Sequence, residues 1–396
     1  MTRFLVSGAL FSPYHPPMRT AIIADWLVTF GGAEHVLAEL RTLFPDAPFY
    51  TTVAKKESLG PLRDADIRTT RLQTLYALTK NHQVLLPFMP RAIEEIDLTG
   101  FDLIISSSHA VAKGIIPPSN ALHICYCHTP VRYAWEMEEE YLRDFGVPSI
   151  LKGMVKRQLK KLRRWDLTSA QRVDLFIANS TTTQERIKRI YGRESIVIAP
   201  PVDERFFETT NQKFLVPSPQ SQAPYFLAVG RMVPYKRFDL LIELANELQL
   251  PLKIAGRGQD EERLKKLAGP TVEFLGFVPD PNLPGLYANA EALFFPQYED
   301  AGIVLLEAQA CGTPAIAFKA GGATDAVKEG ETGVFFDAQN KESIRGALER
   351  FRTITWNKAA ITEHAHAFSQ SAFKKAFTNV VESATKSFTE GSFTRR

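Results

Sequence analysis

Six short apolar runs in the second half of the chain constrain the fold more than any other feature. They are Tyr225–Val229, Leu252–Ala255, Thr271–Leu275, Ala292–Phe295, Ala315–Phe318 and Gly333–Phe336, and most end in glycine or a turn before a stretch of helical periodicity. Runs this short and mostly apolar read as strands buried in a sheet between helices. A parallel sheet with right-handed crossovers buries so many of them between helices most economically.

The first half has the same rhythm in looser form. Strand Ala21–Ala24 leads to Gly31-Gly32-Ala33-Glu34, with a helix expected from Glu34. At Gly31 and Gly32 the backbone can approach a ligand without a Cβ, although this is not the dinucleotide-binding G-x-G-x-x-G. Strands Phe101–Ser106 and Leu122–Tyr126 follow, running into Ser107-Ser108-His109 and Cys127-His128. Two histidines therefore reach the sheet edge where open α/β folds bind ligands. Further strands are expected at Asp174–Ala178 and Ser195–Ala199, the last stopped by Pro200-Pro201.

With 396 residues, 45% of them hydrophobic, the chain has enough core for two domains. The reading is an extension at 1–17, an N-terminal α/β domain at 18–208, a polar linker at 209–223, a C-terminal α/β domain at 224–365, a helix at 366–386 returning to the first domain, and a frayed tail at 387–396. That last helix is expected to carry Phe368, Phe373, Phe377 and Val381 on one apolar face. Cys125, Cys127 and Cys311 form no zinc or redox spacing and read as reduced thiols of a cytosolic protein. No apolar run approaches the length of a spanning helix, and the start lacks a signal-peptide pattern.

A net charge of +3 is weak support for a polyanionic partner. Its distribution is more informative. Residues 151–165, LKGMVKRQLKKLRRW, hold seven basic residues and no acidic one, with Leu151, Met154, Val155, Leu159, Leu162 and Trp165 at helical spacing. Such a helix suits an anionic membrane surface, or packs on its own domain with a solvated basic back. No aromatic-rich sheet accompanies it, and nucleic acid is not expected as a partner.

The chemistry concentrates between Phe294 and Thr313, FFPQYEDAGIVLLEAQACGT, where a strand gives way to a loop holding Glu299 and Ala301 and then to a helix holding Glu307. On one helix, carboxylates eight residues apart would differ by roughly 80° and about 12 Å. That is a poor pair for attack and protonation at one bond, and a good pair of separate hydroxyl acceptors. Backbone N–H groups around Gly302 and Ile303 offer an anion site between them. Arg231 and Lys236 follow another strand and suit a diphosphate, arginine forking two oxygens and lysine supplying a mobile charge. Gly258 and the Gly321-Gly322-Ala323-Thr324 turn can bring further N–H groups to it. No D-x-D pair follows a strand, so no divalent metal is expected. A nucleotide sugar is the ligand that fits.

With these motifs the chain resembles the retaining family 4 glycosyltransferases of GT-B fold, from about Met18 to the last helix. Glu299 and Glu307 stand as E-x7-E, Gly230, Arg231 and Lys236 as G-R-x4-K, with GGAE at Gly31–Glu34 and ISSSHAVAKG after Asp102. The resemblance implies two Rossmann-like domains facing across a cleft, with the donor in the C-terminal one. It implies that Arg231 and Lys236 bind diphosphate, Glu299 the transferred sugar and Glu307 the ribose, with His128 over the reacting centre. It further implies retention of configuration, the departing phosphate helping to deprotonate the acceptor. CHTPVRYAWE, Cys127–Glu136, resembles bacterial enzymes that transfer mannose or a related sugar in O-antigen, capsule or exopolysaccharide assembly. That points to GDP-mannose ahead of UDP-sugars, a polyprenyl-diphosphate-linked glycan acceptor and the inner face of the cytoplasmic membrane. A UDP-sugar-dependent transferase, a soluble enzyme acting on small sugars and a non-enzymatic nucleotide-sugar-binding protein stay open, as does the oligomeric state.

Overall fold

The computed structural model describes residues 18–136, 149–208 and 224–393. The expected extension at 1–17, the linker at 209–223 and the last three residues of the tail lie outside the described residues.

Two parallel sheets organise the chain. The first holds β1 (Thr20–Ala24), β2 (Phe49–Thr51), β3 (Ile67–Thr69), β4 (Leu103–Ser108), β5 (Leu122–Cys127), β6 (Leu175–Ala178) and β7 (Ser195–Val197), in the order β3-β2-β1-β4-β5-β6-β7. The second holds β8 (Tyr225–Val229), β9 (Leu252–Ala255), β10 (Val272–Gly276), β11 (Ala290–Phe295), β12 (Ala315–Phe318) and β13 (Gly333–Phe336), in the order β10-β9-β8-β11-β12-β13. Both are doubly wound Rossmann-like sheets, as the short apolar runs require.

The central strands of each sheet are buried on both faces, which is why they do not alternate in polarity, while the edge strands β3, β7 and β10 are part-exposed. Along β1, Ile22 and Ala24 enter one core while Ala21 and Ile23 enter another. Along β11, Leu293 and Phe295 face one side and Ala292 and Phe294 the other. Strand order reverses between β1 and β4 and again between β8 and β11. A doubly wound sheet opens its ligand crevice at such points, outside the strands' carboxyl ends.

The C-terminal segment departs from the expected single helical face. Helices Lys341–Thr353, Lys358–His366 and Gln370–Thr389 are separate, the last starting where Ser369 Oγ accepts the Ala372 N–H at 3.2 Å. Phe373, Phe377 and Val381 join the core of the first sheet, so this helix returns to the N-terminal half. Phe368 does not go with them. It precedes the helix, packs on the core of the second sheet, and its carbonyl accepts the Val202 N–H at 2.8 Å. Residues 387–389 of the expected tail are still helical.

Helix Ser149–Ala170 extends beyond the expected 151–165. It docks on its own domain through Leu159, beside Val131 and Ala134. Lys152, Arg157, Lys160, Lys161 and Arg164 stay exposed, and Met154, expected on the apolar face, is 57% exposed. No helix among the described residues is long and apolar enough to cross a membrane.

Candidate active site

At the β8/β11 crevice two of the residues expected to hold a donor, Lys236 and Glu299, meet. Gly230 follows β8, and its strand-end turn leads through exposed Arg231 to a 3-10 turn, Pro234–Lys236, that buries Lys236. Lys236 Nζ lies 2.6 Å from Glu299 Oε1, which joins the two motifs directly. Arg231 has no ion pair among the described residues. Glu299 is held from behind as well, its carbonyl accepting the Gly322 N–H at 2.8 Å. At Gly321, φ is +64° and a Cβ would fall 2.2 Å from the Glu299 carbonyl oxygen, so only glycine lets this turn seat the loop. Ala301 is half-buried in the same loop, and Gly302 caps helix Ile303–Ala310.

Glu307, on that helix, has its own environment. Its Oε2 accepts a hydrogen bond from Tyr287 Oη at 2.8 Å. Desolvation raises its pKa to about 7, partly offset by Tyr287 and Arg205. The two carboxylates are thus separately partnered, Glu299 by a cation and Glu307 by a phenol. Asp203, Arg205 and Asp280, whose charges reach Glu307, also line a cleft of about 830 Å³ together with Phe30, His35 and Glu39. This cleft lies between the helix after β1 and the loop after β10.

At two of the predicted glycine positions the fold makes demands of its own. The helix after β1 starts at Gly32 rather than Glu34, and Glu34 Oε2 accepts the Gly31 N–H at 3.0 Å, so that donor is already engaged. Gly258 is needed for packing, since a Cβ there would sit 2.0 Å from the Met232 carbonyl oxygen.

At the β1/β4 crevice stands a network the sequence disclosed only in part. His128 Nε2 meets Ser107 Oγ at 2.8 Å. Burial, with the charge of His109, lowers the His128 pKa to about 3, leaving a neutral imidazole at physiological pH. His109 Nδ1 lies 2.9 Å from Asp25 Oδ2. Burial alone would raise the Asp25 pKa, but His109 and backbone donors outweigh it and hold the carboxyl well below its usual range. Those donors are the N–H groups of His109 at 2.7 Å, Ala110 at 3.1 Å, Val111 at 2.5 Å and Ala112 at 2.6 Å. Asp25 pulls His109 the other way, raising its pKa against the effect of burial. Asp25 was missed by sequence reasoning. Its signal was a carboxylate directly after a wholly buried strand, where only a dense set of donors makes an ion tolerable.

The geometry is that of a doubly wound, two-domain protein with cationic and carboxylate groups at the switch point of its second sheet. Two family models match the chain, Glycosyltransferase Family 4 over residues 30–206 and Glycosyl transferases group 1 over residues 211–375. Mannosylfructose-phosphate synthase of Agrobacterium fabrum is 27% identical over 294 residues, 66% of this chain and 64% of that protein. D-inositol 3-phosphate glycosyltransferase of Kribbella flavida is 31% identical over 225 residues, 49% of this chain and 53% of that protein. The chain thus spans about half to two thirds of the length of these curated relatives. Among solved structures, Anabaena HepE in complex with UDP superposes with a TM-score of 0.63 at 19% identity, over 92% of this chain and 100% of that one. The two halves of the chain thus match two glycosyltransferase models in turn, and its two-domain architecture is the GT-B fold.

Proposed function

We propose that this protein is a retaining hexosyltransferase that takes its sugar from a nucleotide diphosphate donor held at the β8/β11 crevice. The observation that carries the reading is the Lys236–Glu299 contact beside exposed Arg231. A diphosphate arriving there competes for Lys236 and is forked by Arg231. Glu299, released from the lysine, turns to the sugar hydroxyls, and Glu307 accepts from the ribose with Tyr287 orienting it. Neutral His128 faces the reacting carbon from the N-terminal side. The bond from the anomeric carbon to the phosphate oxygen breaks, and the acceptor oxygen bonds the same face. The acceptor's proton passes to the departing phosphate, whose charge Arg231, Lys236 and the N–H groups at Gly302 and Ile303 stabilise without a divalent metal.

GDP-mannose is the proposed donor. The Cys127–Glu136 segment supports it, as does the mannosyl product in the name of the Agrobacterium relative. UDP-sugars are the second reading, favoured by the UDP bound in the Anabaena neighbour. The proposed acceptor is a polyprenyl-diphosphate-linked glycan at the inner face of the cytoplasmic membrane. The exposed basic residues of helix Ser149–Ala170 support that location.

Thermal denaturation against a panel of nucleotides and nucleotide sugars tests the donor. Stabilisation by GDP and GDP-mannose, lost in Glu307→Ala, is the expected result. Stabilisation by UDP compounds alone would move the donor to the second reading, and no response to any of them would overturn the proposal. An inverted anomeric linkage in the product's NMR spectrum would overturn retention.

A further inference from the structure

The loop that carries Glu299 is gripped from the other domain. Arg186, on helix Thr181–Tyr191 of the N-terminal half, is 3% exposed, and its Nη1 pairs with Asp300. Its Nη2 donates to Tyr298 Oη at 3.0 Å, and its Nε lies 2.9 Å from Glu136 Oε2. Nη1 also reaches Thr129 Oγ1 at 3.2 Å, one residue past His128. Arg132 adds a second grip, its Nη2 on the Tyr298 carbonyl at 3.4 Å, Nη1 3.7 Å from Asp300 Oδ2, and its guanidinium over the rings of Tyr298 and Tyr235. A third tie joins the same two bodies where Asp325 accepts from the Thr181 N–H at 2.7 Å and from Thr181 Oγ1 at 2.5 Å.

The residues gripped are the two that flank Glu299 in sequence. Tyr298 and Asp300 are held by the N-terminal half while the Glu299 carbonyl is held by Gly322 and its carboxylate by Lys236. We propose that Arg186 is a positioning residue that places the Glu299 carboxylate for the transferred sugar, and does so only while the two domains are closed on each other. This rests on the donor site proposed above and adds that the N-terminal domain completes it. The nucleotide's own partners, Arg231, Lys236 and Glu307, all belong to the C-terminal half. The clamp is therefore required for the sugar and not for the nucleotide. A buried arginine making these forked contacts is not replaceable by lysine.

The test uses the full chain with UDP, GDP, UDP-glucose and GDP-mannose as probes, in wild type, Asp300→Asn and Arg186→Met. Affinities are measured by calorimetry and the radius of gyration by X-ray scattering. Asp300→Asn removes only the charge at a loop position and keeps the test informative should Arg186→Met fold poorly. Both variants are expected to bind the free nucleotide within about twofold of wild type. Both should lose about tenfold in the ratio of nucleotide-sugar to nucleotide affinity, and both should scatter as a more open particle. Combined, they should lose less than the sum of the two single losses, because the groups share one ion pair. An unchanged ratio and an unchanged radius of gyration would overturn the clamp. A wild type that binds nucleotide and nucleotide sugar equally would also overturn it, since Glu299 would then hold no sugar for Arg186 to position. A wild type that binds no nucleotide would overturn the donor site itself.

Discussion

Replacing Glu307 with glutamine should make the protein more stable at neutral pH while weakening its hold on nucleotide. Desolvation lifts the Glu307 pKa from 4.5 to about 7 in the folded protein, with the Tyr287 hydroxyl offsetting part of the rise. In the unfolded chain the group titrates near 4.5. Between those values the folded state binds more protons than the unfolded state, so stability falls as pH rises through the window, and the loss is complete above the folded value. At about 1.4 kcal/mol per pH unit, the cost above pH 7 is about 3 kcal/mol. Glutamine keeps the shape, still accepts from Tyr287 and never ionises. Urea denaturation of wild type and Glu307→Gln, following the C-terminal domain, should show the two within about 0.5 kcal/mol at pH 4.5 and the variant ahead by about 3 kcal/mol at pH 8. Most of that divergence should appear between pH 4.5 and 7. Nucleotide affinity should fall about tenfold in the variant at pH 8, the loss of one charge-assisted acceptor. A difference in stability that is constant across this range, or a wild type more stable than the variant at pH 8, would refute the reasoning.

Other perturbations separate structural from functional groups. Lys236→Ala should weaken GDP or UDP binding by about tenfold to a hundredfold, as for the loss of a charge-assisted phosphate contact, with calorimetry as the measurement. Asp25→Ala should destabilise the N-terminal half by about 3–5 kcal/mol, because it leaves four backbone N–H groups without their acceptor and removes the partner of His109; chemical denaturation measures it. Gly114→Ala should cost about 1–3 kcal/mol by the same measurement, since a Cβ there would fall 2.2 Å from the Trp165 ring. Neutralising Lys160, Lys161 and Arg164 together should abolish sedimentation with anionic vesicles without lowering the melting temperature, because all three are exposed.

What was legible in the sequence was local. Strands β8, β9, β12 and β13 fall on the residues expected of them, each being a short, mostly apolar run that a turn interrupts at once. Glu299 in a loop and Glu307 on a helix could be placed from the change of periodicity after Phe295. Phe368 was misassigned by being grouped with Phe373 and Phe377, although a five-residue spacing puts it about 140° round a helix from Phe373. Ser369, which caps the helix one residue later, was the contrary signal. The grip of Arg186 on Asp300 joins residues 114 positions apart on two separately wound sheets, and no local pattern encodes how those sheets face each other. Asp25 depends on N–H groups more than eighty residues away, and its partners become visible only once β1 lies beside β4.

The central claim is transfer, not binding alone. The measurement that tests it most directly is incubation of the chain with radiolabelled GDP-mannose and UDP-glucose and an extract of polyprenyl-diphosphate-linked glycans, followed by lipid extraction. Label should move from one donor into the lipid fraction with wild type and not with Lys236→Ala. Donors that bind while no label leaves the nucleotide for lipid, water or small sugar would contradict the account and leave a nucleotide-sugar-binding protein in its place.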